Sequence, residues 1–97
     1  MTITKSQNGT SFVLAVEGRL DTATAPELEK EIQSLTEAAE LIIDFSKLDY
    51  ISSAGLRVLL SAHKNFARKS GLTIINVSET VLEVFDVTGF RDILNIK

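Results

Sequence analysis

Leu41-Ile42-Ile43-Asp44-Phe45-Ser46-Lys47-Leu48-Asp49-Tyr50-Ile51-Ser52-Ser53-Ala54-Gly55-Leu56-Arg57-Val58-Leu59-Leu60 is the stretch on which the reading of the fold turns. It opens with a nearly continuous apolar run, Leu41 to Phe45, the pattern of a central strand buried on both faces. A short connection leads to a pair of serines, and serine is among the best residues for capping a helix. Beyond them Leu56, Leu59, Leu60 and Ala67 line one side of a helical projection, widened by Val58, Ala62 and Phe66. Arg57, Ser61, Lys64, Asn65 and Arg68 fall on the other side. The spacing predicts an amphipathic helix from near Ser52-Ser53 to about Ser70, with Gly71 just past its end.

Leu72 to Val77 reads as a further buried strand on the C-terminal side. Ser78 or Thr80 then caps a third helix carrying Val81, Leu82 and Phe85, and Gly89 ends it. Phe90 to Ile96 is a short, mostly apolar tail that the pattern leaves unassigned. On the N-terminal side, Thr2 to Gln7 and Phe12 to Val16 are strand candidates. Asn8-Gly9 turns between them, because both residues tolerate positive φ; Gly18 ends the second strand. Thr24-Ala25-Pro26-Glu27 has the form of a capping box, and Pro26 is harmless in a first turn. Ala25, Leu28, Ile32, Leu35 and Ala39 follow at helical spacing, predicting about four turns. The order β-β-α-β-α-β-α implies an α/β domain with parallel pairing through right-handed crossovers. The N-terminal hairpin makes the sheet mixed. The expectation is a single domain over residues 1–97, with a sheet of four or five strands and helices mainly on one face.

A chain of 97 residues forms one core, and its 44% hydrophobic and 24% charged content matches globular averages. A net charge of −3 lacks the concentrated basic surface that nucleic acid requires. With no cysteine there is no disulfide frame, thiolate nucleophile or Cys-built zinc site. The N-terminal segment has no secretion-signal pattern, and no apolar run approaches the ~20 residues of a membrane span. The expectation is a cytoplasmic protein with no membrane insertion.

Catalytic constellations are sparse. The single histidine, His63, lies mid-helix as a boundary residue. Ser52 and Ser53 are ten or so residues before it, ~15 Å along the helix axis, too far for a nucleophile–base hydrogen bond. No Gly-rich phosphate loop occurs, and Asp21, Asp44, Asp49 and Asp86 lack metal-loop spacing. The sequence therefore predicts no enzyme, no metal and no cofactor.

Two segments stand out from this background: Gly18-Arg19-Leu20-Asp21-Thr22-Ala23-Thr24-Ala25, and Asp49 to Leu60 around the serine pair. In this order and on this element pattern they resemble the STAS domains of anti-sigma factor antagonists. The likeness rests on a hydrophobic strand ending in Asp, a short connection, and a serine pair before Gly55-Leu56. Gly18-Arg19-Leu20-Asp21 resembles the family's loop ahead of its first helix. Val81 to Phe90, with Phe85 ahead of Thr88-Gly89-Phe90, resembles its closing helix. The resemblance spans essentially the whole chain.

What the resemblance implies is a phosphoswitch. The family's regulatory serine stands two positions before the Gly-Leu, which is Ser53. Many antagonists carry Asp immediately before that serine; here the position is Ser52, which stands as the alternative acceptor, and Ala54 follows. The unphosphorylated protein is expected to bind an anti-sigma factor that is itself a serine kinase of the histidine-kinase-like ATPase fold, releasing the sigma factor. Phosphorylation ends the complex, and a serine phosphatase restores it. The expected docking face joins Asp21 and Thr22 with Ser52, Ser53, Gly55, Arg57 and Ser61. Gly55 is expected to keep the surface low and Arg57 to stand near a phosphate. Two other readings remain at this point: a STAS module regulating another client, such as a cyclase, phosphatase or transport complex, and a nucleotide-binding STAS module.

Overall fold

In a computed structural model describing residues 1–97, the first two segments pair as a hairpin. β1 (Thr2–Asn8) runs antiparallel to β2 (Ser11–Leu20), Thr4 opposite Ala15. The turn between them passes through Gly9 at φ +64, a conformation glycine adopts without penalty. The chain continues through α1 (Ala25–Gln33), β3 (Glu40–Ile51), α2 (Ser53–Phe66), β4 (Gly71–Ile75) and α3 (Glu79–Thr88). The sheet order is β1-β2-β3-β4 with β5 (Asn95–Ile96) beside β4, antiparallel at the hairpin and parallel elsewhere. This is the expected α/β domain with a mixed sheet.

The unassigned tail supplies the fifth strand. Ser78 caps α3 by accepting from the Val81 N–H at 3.3 Å, and Gly89 ends it in the left-handed conformation at φ 78. A 3-10 turn at Phe90–Asp92 then leads to β5 (Asn95–Ile96). β5 is too short for periodicity to reveal; the Lys97 N–H bond to the Ile74 carbonyl at 2.9 Å secures it.

The helices cover one face of the sheet. Phe12, Leu14 and Val16 of β2, Leu41, Ile43 and Phe45 of β3, and Leu72 and Ile74 of β4 point toward them and are buried. Leu28 and Ile32 of α1, Leu56, Leu59 and Phe66 of α2, and Phe85 of α3 close the core. The opposite face, with Val13, Ala15, Ile42, Asp44 and Ile75, is only half-buried. β3 is thus covered on one side and not on both, because all three crossovers return over the same face.

Other boundaries differ from the sequence reading. α1 has nine residues instead of about four turns. The Ser34 hydroxyl donates to the Glu31 carbonyl at 2.6 Å, and the Leu35 N–H turns back to Ile32 at 3.1 Å, tightening the helix shut. Leu35 and Ala38 still reach the core from the turn that follows. The predicted capping box is absent. Thr24 has helical backbone angles, and its hydroxyl donates to the Arg19 carbonyl at 2.7 Å and accepts from the Asp21 N–H at 2.9 Å. The strand end outcompetes the helix for that hydroxyl. α2 stops at Phe66, four residues before the expected end, and turns through 67–70 into Gly71.

Candidate functional site

β3 is longer than the apolar run that announces it, and the extra length builds the site. Twelve residues of β3 lie beside ten of β2. The register slips twice: Ala15 faces Asp44 but Glu17 faces Lys47, and Gly18 faces Leu48 but Arg19 faces Tyr50. Each slip is a bulge, which bends a strand and re-aims the side chains beyond it. The buried positions of β3 therefore run Leu41, Ile43, Phe45, Leu48, Ile51, with spacing changing from two to three. Ile51 turns inward as the strand ends, and Tyr50 turns outward.

The connection to α2 is then fixed. The Ser52 N–H donates to the Leu20 carbonyl at 2.9 Å, tying the start of α2 to the end of β2. Ser52 is the N-cap in extended conformation, and the first helical bond runs from the Leu56 N–H to its carbonyl at 3.0 Å. The Ser52 hydroxyl caps nothing: it is buried without a hydrogen-bond partner. Ser53, the first helical residue, is exposed. Its N–H and those of Ala54 and Gly55 precede the first bonded turn, where a helix presents free donors and partial positive charge.

Gly55 faces inward. An added Cβ would lie 2.7 Å from Leu20 Cγ and 2.9 Å from Ile51 Cγ1. The glycine lets α2 sit directly on the ends of β2 and β3, which differs from the expected role of keeping an outer surface low. Arg57 is exposed one turn beyond Ser53, and i,i+4 residues are neighbours on a helix face. Ser61 continues that face, ~12 Å along the axis from Ser53.

Asp21 and Thr22 lie in the loop that Leu20 leads into, at the same end of the sheet. One Asp21 carboxylate oxygen accepts from the N–H groups of Ala23 at 3.0 Å and Thr24 at 3.2 Å. The Thr24 N–H, with further help from its hydroxyl, from Ala23 and from Arg19, outweighs partial desolvation and holds the carboxyl below its usual pKa. Thr22 is exposed. The Leu20–Ser52 bond sets the Asp21–Thr22 loop at the end of the sheet where α2 starts; Ser53 and Arg57 are exposed on α2, Ser52 and Gly55 turn inward, and Ser61 lies further along the helix. His63 is half-buried with Nδ1 unpartnered, well down the helix.

A sequence profile of the STAS domain matches residues 2–97. The chain belongs to the STAS domain family. An anti-sigma-B factor antagonist of Bacillus subtilis is 33% identical to this STAS domain over 92 residues, covering 93% of this chain and 84% of the relative. An anti-sigma factor antagonist from Mycobacterium paratuberculosis has the same fold, with a TM-score of 0.88 at 23% identity over 98% of this chain and 83% of its own. The Bacillus cell fate determinant SpoIIAA in its phosphorylated form superimposes with a TM-score of 0.76 at 18% identity, over 99% of this chain and 91% of its own.

Arg19 and Tyr50 lie inside the two segments that the sequence singles out but are not among the expected docking residues. Tyr50 is 40% exposed, and the Arg19 guanidinium lies over its ring, 4.3 Å from the centroid. The signal was the three-residue spacing from Leu48 to Ile51, which breaks the strand's alternation and leaves Tyr50 facing out. Arg19 had no separate signal: only the second register slip sets it beside Tyr50.

Proposed function

We propose that this STAS domain is an anti-sigma factor antagonist switched by phosphorylation of Ser53. The observation that carries the reading is the contrast within the serine pair. Ser53 presents an exposed side chain at the first turn of α2, while the Ser52 hydroxyl is enclosed. A kinase needs to align the acceptor oxygen with its nucleotide, and an enclosed hydroxyl offers no path for that. Membership of the family and likeness to an antagonist over most of both chains support the regulatory role. The fold shared with SpoIIAA, whose structure has been determined phosphorylated, supports a domain able to carry the modification.

The unphosphorylated protein binds an anti-sigma factor through Asp21, Thr22, Ser53 and Arg57, and the sigma factor is released. The partner is a serine kinase of the histidine-kinase-like ATPase fold. It transfers the γ-phosphoryl of ATP to the Ser53 oxygen, the hydroxyl proton is lost, and ADP leaves. Phosphorylation adds about −1.5 to −2 charges. At a helix start, free N–H groups and the dipole accommodate that charge, with Arg57 one turn away. At a closed protein interface the same charge is costly. A serine phosphatase resets the protein, which itself supplies a substrate and a docking face and no catalysis.

The test is phosphate incorporation by the partner kinase from labelled ATP into wild type, Ser53→Ala and Ser52→Ala. Ser53→Ala should take up none and keep its affinity for the anti-sigma factor. Full labelling of Ser53→Ala with loss of labelling in Ser52→Ala would place the switch on the other serine.

A further inference from the structure

Arg19 combines features that the proposed switch does not use. Its guanidinium is stacked over Tyr50 at 4.3 Å, and its Nε stands 3.8 Å from Asp21 Oδ2. Asp21 is itself immobilised, because its other oxygen holds the Ala23 and Thr24 N–H groups. The Arg19 carbonyl is fixed as well, by the Thr24 hydroxyl at 2.7 Å. Ring and carboxylate thus flank the guanidinium, which donates no hydrogen bond within the chain, and 62% of the side chain is exposed. Tyr50 is one of only three large hydrophobic side chains that are exposed; the others, Val87 and Ile93, belong to α3 and the tail.

We propose that Arg19, stacked on Tyr50, reads a carboxylate of the anti-sigma factor and so helps determine which partner this STAS domain accepts. The inference rests on the reading of the Ser53 edge as the docking face. The register joins the two: Arg19 pairs with Tyr50, and the next residue on β2, Leu20, holds the Ser52 N–H. A guanidinium fork matches a carboxylate in bidentate geometry, and holding it in place beforehand reduces the ordering cost of binding. Tyrosine and arginine are also the residue types that dominate interface energetics. The occupant is therefore an Asp or Glu on the partner, beside apolar surface that meets the edge of the Tyr50 ring.

The experiment titrates the purified anti-sigma factor of the native cell by calorimetry against wild type, Arg19→Glu, Arg19→Lys, Tyr50→Ala and Ser53→Asp. Arg19→Glu should weaken binding at least about thirtyfold, since it sets two carboxylates together at a contact. Arg19→Lys keeps the charge without the fork and should lose about tenfold. Tyr50→Ala should also weaken binding, and a partner variant with one surface Asp or Glu reversed to Lys should restore Arg19→Glu. Thermal unfolding of each variant separates these effects from misfolding, and Arg19→Lys carries the test if Arg19→Glu unfolds. Arg19→Glu and Arg19→Lys binding within twofold of wild type, while Ser53→Asp loses its partner, would overturn this proposal and leave the Ser53 switch standing. A wild type that binds no anti-sigma factor would overturn both.

Discussion

Gly55 of α2 rests against Leu20 of β2 so closely that a methyl group on the glycine would stand 2.7 Å from Leu20 Cγ. This contact sets the height of the serine pair above the sheet. The Ser52 N–H reaches the Leu20 carbonyl at 2.9 Å only because the helix start lies that low. Overpacking of a filled core costs about 1–3 kcal/mol. Gly55→Ala should therefore lower stability by ~1–3 kcal/mol in urea unfolding and reduce the rate of phosphorylation, through displacement of Ser53. An unchanged urea midpoint would mean that Leu20 moves aside freely and that the glycine has another role.

Ser52→Ala should behave unlike an ordinary cap substitution. Replacing a capping serine by alanine costs ~1 kcal/mol when its side chain bonds the helix N–H groups. Here that bond is absent and the hydroxyl is buried without a partner, a state that itself costs about 1–3 kcal/mol. The expected change is within ~0.5 kcal/mol of wild type or slightly stabilising, with phosphate uptake unaltered. A loss above ~1 kcal/mol in chemical denaturation would show that the hydroxyl caps α2 in solution.

Modification of Ser53 should spare the fold. Phosphorylated protein, or Ser53→Asp as a poorer mimic, gains favourable helix-terminus electrostatics worth about 0.3–1 kcal/mol at an exposed site. In the complex an unpaired charge at a desolvated contact costs several kcal/mol, and a loss of ~3 kcal/mol is more than a hundredfold in affinity. Thermal unfolding and partner affinity measured side by side should show the first nearly constant and the second lost. A large drop in unfolding temperature would mean that the switch acts by melting the domain.

Acid should erode stability through two carboxylates. Asp21 is held below its ordinary value of 3.8, foremost by the Thr24 N–H. Burial raises the Asp44 pKa, but the Ser46 N–H and the Asn76 amide outweigh it and leave it lowered. A lowered folded pKa means that the unfolded chain binds more protons in this range. The stabilisation is complete above 3.8 and disappears as pH falls through the folded values below it. Asp21→Asn should flatten part of this dependence, since Asp44 remains. Identical acid profiles for wild type and Asp21→Asn would remove Asp21 as a contributor.

The hairpin, the strand–helix alternation, the α/β class and the placement of Ser53 at a helix start were legible in the sequence. Each of these is a local pattern: Asn8-Gly9 before an apolar run, helical spacing after Ser52-Ser53, a serine before α3 and Gly89 behind it. What depends on contacts between segments far apart in the chain emerged only on folding. Which of two adjacent serines offers its hydroxyl follows from the tie between Ser52 and Leu20. Thr24 abandons its predicted cap because the end of β2 supplies a better partner, the Arg19 carbonyl. β5 exists only because β4 leaves an edge for two residues of tail to join. The pairing of Arg19 with Tyr50 depends on two register slips between β2 and β3, and periodicity along one strand carries no record of its neighbour's register.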